Sequence, residues 1–99
     1  MTATGNDSLT LALTMRVPQS GIAQFQAYEA KVLPLLQMHG GQLQRRLRNA
    51  DGTVEIHIVH FLNRDDFESF RNDLRRAAAA PLLTASGATS ELIEVEDVD

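Results

Sequence analysis

A chain of 99 residues with no cysteine, nine Lys and Arg against thirteen Asp and Glu, and a net charge of −4 has room for one core and one site. The composition excludes disulfides, thiolate metal sites and cysteine nucleophiles, and the acidic balance argues against a phosphate-backbone binder, which needs clustered cations. No segment approaches the roughly 20 apolar residues of a membrane span, so a soluble cytoplasmic protein with no nucleic-acid and no membrane partner is expected. The small, polar opening MTATGNDS has neither a basic start nor an apolar run. It is expected to form a disordered tail over 1–8, ahead of a single domain over 9–96.

Leu9, Leu11, Leu13, Met15 and Val17 alternate with Thr10, Ala12, Thr14 and Arg16, the pattern of a half-buried strand ended by Pro18. Ser20 is placed to cap a helix whose apolar line runs through Ile22, Phe25, Val32, Leu35 and Leu36 to His39, with Gly40 and Gly41 stopping it. Pro34 inside that span predicts a kink or two helical pieces. GGQLQRRLR then reads as a strand, and Asn49, Asp51 and Gly52 supply a turn into TVEIHIVHFL, the most strand-like run in the chain. Pairing Arg48 with Thr53 sets Arg46 opposite Glu55 and Gln44 opposite His57.

Asn63 can cap a second helix, with Asp65 and Asp66 in its first turn and Arg71, Arg75 and Arg76 further along, as the helix dipole prefers. Phe67, Phe70, Leu74, Ala77 and Ala78 are its expected buried stripe, and Pro81 is expected to open a separate short turn closed by Gly87. ELIEVEDVD is a final edge strand that contributes Ile93 and Val95 to the core.

The resulting order, β-α-β-β-α-β, predicts a ferredoxin-like α+β fold: a four-stranded antiparallel sheet with two helices on one face. The face left open is expected to carry Thr10, Ala12, Thr14 and Arg16, then Gln42, Gln44, Arg46 and Arg48, then Glu55, His57, Val59 and Phe61, and finally Leu92 and Glu94. Such a face is either solvated or packed on a second copy so that its polar residues line a shared lumen.

YEAKVLPLLQMHGGQLQRRLR, the alternating strand and HFLNRDDFESF together resemble the small dimeric α+β-barrel superfamily, most nearly a bacterial domain family of unknown function. Tyr28, Gly40, Gly41 and Phe61 match that pattern, whereas His60 stands where an acidic residue is usual and Phe70 where tryptophan is common. The resemblance implies a homodimer through the open sheet face. Relatives range from cofactor-independent monooxygenases and haem-handling enzymes to proteins without shown activity, so it does not choose a chemistry.

Glu55 and His57 lie two apart on one face of a strand, where a carboxylate can orient an imidazole for proton transfer. They are the candidate catalytic pair, although an ion pair of Glu55 with Arg46 competes for the carboxylate. Arg46, Tyr28, His39 and Phe61 are candidate ligand-binding residues. For His39 the competing role is a helix C-cap, and for His60 it is a hydrogen-bonded core histidine. His57 and His60 fall on opposite faces, so no metal site is expected. The paired glycines end a helix rather than start one, and no cofactor is expected. Two functions remain: a homodimer binding a small organic molecule in a sheet-face pocket, with His57 as acid or base, and a non-enzymatic binding or assembly module.

Overall fold

The computed structural model describes residues 8–99. Nearly all of the expected 1–8 tail lies outside the described residues. Four strands, β1 (Leu9–Arg16), β2 (Gly41–Arg48), β3 (Val54–Phe61) and β4 (Thr89–Val95), form one sheet in the order β2-β3-β1-β4. Every neighbouring pair is antiparallel. The helices are α1 (Ile22–Val32), α2 (Leu35–Met38), α3 (Arg64–Arg71) and α4 (Leu74–Ser86). This is the ferredoxin-like arrangement that the element order implies.

Local chemistry explains most boundaries. Pro34 separates α1 from α2 because it has no N–H to continue the helix. The Asn63 side chain accepts a 2.8 Å bond from the Asp66 backbone, fixing the start of α3. Asn49 Oδ1 accepts from Val54 N at 2.9 Å, and Gly52, at φ +80°, lets the β2–β3 turn close. Gly87, at φ +71°, ends α4 in the left-handed conformation that side chains disfavour.

Other boundaries differ from the sequence pattern. Ser20 is no cap: it lies in a single 3₁₀ turn, Gln19–Gly21, and Gly21 precedes α1 without a side-chain bond. The expected second helix is two helices, because Asp73 Oδ1 accepts from Arg75 N at 2.7 Å and starts α4 afresh. That change of direction turns Leu74 out to 84% exposure. Pro81 lies inside α4 rather than opening a new turn. It and Ala77, whose carbonyl it leaves without the usual donor, are both exposed, so water can serve the freed group.

The helices cover the face carrying Leu9, Leu11, Leu13 and Met15, which pair across to Phe61, Val59, His57 and Glu55. One apolar cluster joins Leu9, Leu11, Val59 and Phe61 to Leu36 and Phe67, and a second joins Met15 and Val17 to Phe25. The expected sidedness therefore holds for β1 but is reversed for β3. Glu55, His57, Val59 and Phe61 lie beneath the helices, while Val54, Ile56, Ile58 and His60 lie on the open face. His60 is thus no core histidine; its Nδ1 lies 3.2 Å from Thr10 Oγ1. In β4, Leu92 and Glu94 pair with Leu13 and Leu11 on the helix side, and Ile93 and Val95 fall on the open side. An irregularity between Leu43 and Arg45 sets Arg46 opposite His57 and Arg48 opposite Glu55. Both arginines consequently lie on the helix side.

Gly21, just before α1, packs against the end of α4, where a Cβ would overlap the Ser86 backbone carbonyl. Gly21→Ala must push one helix end away from the other. We expect it to lower stability by about 1–3 kcal/mol, as overpacking commonly does, with urea denaturation as the check.

Candidate functional site

Position 29 puts a carboxylate on the apolar line of α1, between Phe25 and Val32, and α1 lies across the sheet. Glu29 is therefore buried, 3% exposed, above Glu55 and His57, which are 1% and 3% exposed. His57 Nε2 lies 2.6 Å from Glu55 Oε2 and 3.2 Å from Glu29 Oε2. Facing an ionised carboxylate, Nε2 carries the hydrogen and donates it to Glu55. Glu29 Oε2 is left buried with no hydrogen-bond partner. From β2, Arg46 Nε donates to Glu55 Oε2 and its Nη2 to Glu29 Oε1, each at 3.1 Å. Arg48 Nε donates to Glu55 Oε1 at 2.7 Å.

The two carboxyls respond oppositely to this setting. Burial raises Glu29 above the ordinary 4.5, and the neighbouring Glu55 charge adds to the rise, against the pull of His57 and Arg46. Burial pushes Glu55 upward too, but hydrogen bonds from Glu29, His57, Arg46 and Arg48 outweigh it and bring the group down to about 2. The pair therefore splits into an ionised acceptor, Glu55, and a carboxyl, Glu29, that holds its proton more tightly.

Glu29 and His57 line the inner wall of a cavity of about 90 Å³, with Leu13, Met15, Leu36 and Val59 among the apolar lining. An outer cavity of about 240 Å³ shares Leu13, Met15, Tyr28, Phe70 and Arg76 with it and continues past Leu83 and Leu92. The two form one mainly apolar cleft between helices and sheet, at the compact end of small-molecule sites, which run from about 300 Å³ upward. Its polar groups are His57 and Glu29 within, Tyr28 and Arg76 shared by both cavities, and Arg71, Thr89 and Ser90 toward the outside.

The sequence-predicted residues separate accordingly. Glu55, His57 and Arg46 meet in the buried cluster, and Tyr28 lines the cleft, its hydroxyl 3.4 Å from Arg76 Nη2. His39 is engaged elsewhere, with Nε2 2.7 Å from Asp73 Oδ2. Phe61 is 1% exposed and packs on Phe67 and Phe70, with centroids 5.4 and 5.9 Å away.

Several solved structures share this arrangement of strands and helices. SnoaB from Streptomyces nogalater, a cofactor-independent oxygenase, matches over 94% of this chain and 95% of its own, with TM-score 0.76 at 20% identity. A Caulobacter crescentus protein provisionally named an antibiotic biosynthesis monooxygenase matches over 92% of each chain, with TM-score 0.72 at 11% identity. These likenesses show a shared ferredoxin-like α+β fold. A nipsnap family protein of unknown function from Agrobacterium tumefaciens matches over 90% of this chain and 88% of its own, with TM-score 0.63 at 16% identity. No protein-family model and no curated protein matches the sequence.

Glu29, Glu55 and His57 offer ligand atoms within 4.8 Å of one another, a spacing a cation can use. Both oxygens of Glu55 and Oε1 of Glu29 are, however, already held by Arg46 and Arg48, and two neighbouring guanidiniums repel a dication. The donor set fits an ion-pair network better than a metal centre. Glu29 is the residue that pattern reading missed, although its signal was present as one acid on the stripe Ile22, Phe25, Glu29, Val32 and Leu36. Arg76 was also missed, because RRAAAA offers no spacing that tells it from Arg75.

Proposed function

We propose that this protein is a homodimer that binds a compact organic molecule in the cleft between helices and sheet of each protomer, and that His57 exchanges a proton with that molecule. The observation carrying the proposal is that His57 and Glu29, both buried, form part of the wall of a mainly apolar cavity that Tyr28 and Arg76 also line. With Nε2–H committed to Glu55, Nδ1 is the nitrogen available to accept a proton, and ionised Glu55 stabilises the imidazolium that results. Glu29, with its raised affinity for a proton, can pass one to or from the imidazole.

The likeness to a cofactor-independent oxygenase supports the same class of chemistry. Adding oxygen to a substrate without a cofactor calls for an electron-rich substrate anion, and a base on the cleft wall is what produces one. The dimer is supported by the open face, where Val54, Ile56, Ile58, Leu47 and Ile93 form an apolar surface. A second copy pairing there puts two sheets face to face and leaves each cleft on the outside of the pair, so the ligand site is not a lumen between the sheets.

A thermal-shift screen of aromatic and enolic metabolites is the first test, since a ligand that binds only the folded chain raises Tm. For a ligand that is turned over, His57→Gln is expected to lower kcat about 100-fold or more while Kd changes only a few-fold. Unchanged turnover overturns the role of His57. The occupied state of Glu55 and of His57 Nε2 favours a second reading, a binding module held together by its ion pairs. Tight binding of every hit with no turnover of any decides for that module.

A further inference from the structure

We propose that Arg76, with Tyr28, is an anion subsite of the cleft, so that the ligand is a compact aromatic or enolic compound carrying an ionised or ionising oxygen. The inference rests on the cleft being the ligand site and goes beyond it in naming the ligand's chemistry.

Arg75 and Arg76 are consecutive in α4 but differ in surroundings. Arg75 turns outward and closes an ion pair with Asp73 at 2.8 Å. Arg76 lines both the inner and outer cavities. Its Nη1 donates to the Arg71 carbonyl at 3.0 Å and its Nη2 to the Tyr28 hydroxyl at 3.4 Å, and its plane lies over Phe70, 4.8 Å from the ring centroid. Its Nε is buried and bonds to nothing. Among the described residues no carboxylate reaches Arg76, whereas Arg46, Arg48, Arg64, Arg71 and Arg75 each have one. Arg16 and Arg45 also have none, but both stand exposed to water.

A guanidinium partly withdrawn from water without a counter-ion is costly, and an anionic ligand relieves that cost. The planar fork suits a carboxylate or a delocalised oxyanion, and Phe70 holds it by cation–π contact. Leu13, Met15, Leu83 and Leu92 offer apolar surface to a ring beside it. Arg76 and His57 also line the same inner cavity, which places the anion subsite and the base on one ligand. When a C–H or O–H of that ligand gives its proton to His57 Nδ1, the electron pair stays on the ligand and delocalises to the oxygen at Arg76. No further reactant enters this step.

The test is calorimetric titration of the full chain at pH 7 with 2-naphthoate and with neutral 2-naphthamide. Naphthoate is expected to bind about tenfold or more tightly than the amide. Arg76→Gln is expected to abolish that preference while leaving naphthamide affinity within about twofold, and Arg76→Lys to retain part of it. Arg64→Gln, which removes an exposed arginine paired with Glu94, should leave the preference intact and so controls for general charge. Equal wild-type affinities, or a preference that survives Arg76→Gln, overturn the anion subsite and leave the cleft standing as the ligand site. Failure of both compounds to bind the wild type removes the cleft and this subsite together.

Discussion

Glu55→Gln is expected to lower the unfolding free energy by about 3 kcal/mol, at the low end of the range for breaking a buried ion pair. Glu55 is 1% exposed and receives Arg46, Arg48 and His57, so the amide that replaces it removes the negative charge and one of the two acceptor oxygens and sets an NH2 against a donor. The loss stays near the lower bound because the Arg46 and Arg48 side chains are 43% and 38% exposed, and water takes up part of their charge. Urea denaturation at pH 7 measures it. The pH dependence has a definite sign. A carboxyl brought from 4.5 down to about 2 by folding adds stability above about pH 4.5 and surrenders it as pH falls through about 2. Glu29 is shifted the other way, so its contribution is present below pH 4.5 and is lost as pH rises through its raised value. Glu55→Gln should therefore flatten the acid limb of the stability profile, while Glu29→Gln should remove a loss on the neutral side and cost little at pH 7. Equal destabilisation by both at pH 7 would contradict this division of roles.

Ile58→Asp is expected to convert the proposed homodimer to monomer, raising the dissociation constant about a thousandfold or more. Ile58 lies at the middle of the open face, opposite Ala12 of β1 and Arg45 of β2. In a two-fold interface each substitution occurs twice, and each withdraws a carboxylate from water, a cost of several kcal/mol that the cross-strand Arg45 offsets only in part. The site is away from the helix-side core, so the monomer should keep its circular dichroism and its affinity for cleft ligands. Light scattering across a dilution series reads the assembly. An Ile58→Asp chain that stays dimeric would place the interface elsewhere.

The order of elements was legible because each carries its own local chemistry. The alternation of β1 and β3, the Asn63 cap and the break at Pro34 are all short-range features. The sidedness of β3 was not, since alternation tells which residues share a row but not which row meets the helices. Ordinary reasoning gives the more apolar row, Val54, Ile56 and Ile58, to the core. Here that row is on the open face, and the core side takes Glu55 and His57 because Arg46 and Arg48 hydrogen-bond Glu55, Glu55 in turn holds His57, and Glu29 lies beside the imidazole. Two of those partners come from the same hairpin and were within reach of sequence pairing. Glu29 comes from α1, and only the path of the chain brings it over β3. Arg76 depended on Asp73 restarting the helix, which sets the direction of everything from Leu74 to Ser86.

Ligand entry between helices and sheet beside His57 can be read directly, because each of the three histidines of the chain reports a different place. His57 is on the cleft wall, His60 is on the open face beside Thr10, and His39 is bound to Asp73. Imidazole ¹⁵N–¹H correlation spectra recorded during titration with 2-naphthoate, assigned through His→Gln variants, should show the His57 resonances moving while those of His39 and His60 hold still. Movement of His60 with His57 unchanged would put the ligand on the open face and contradict the cleft.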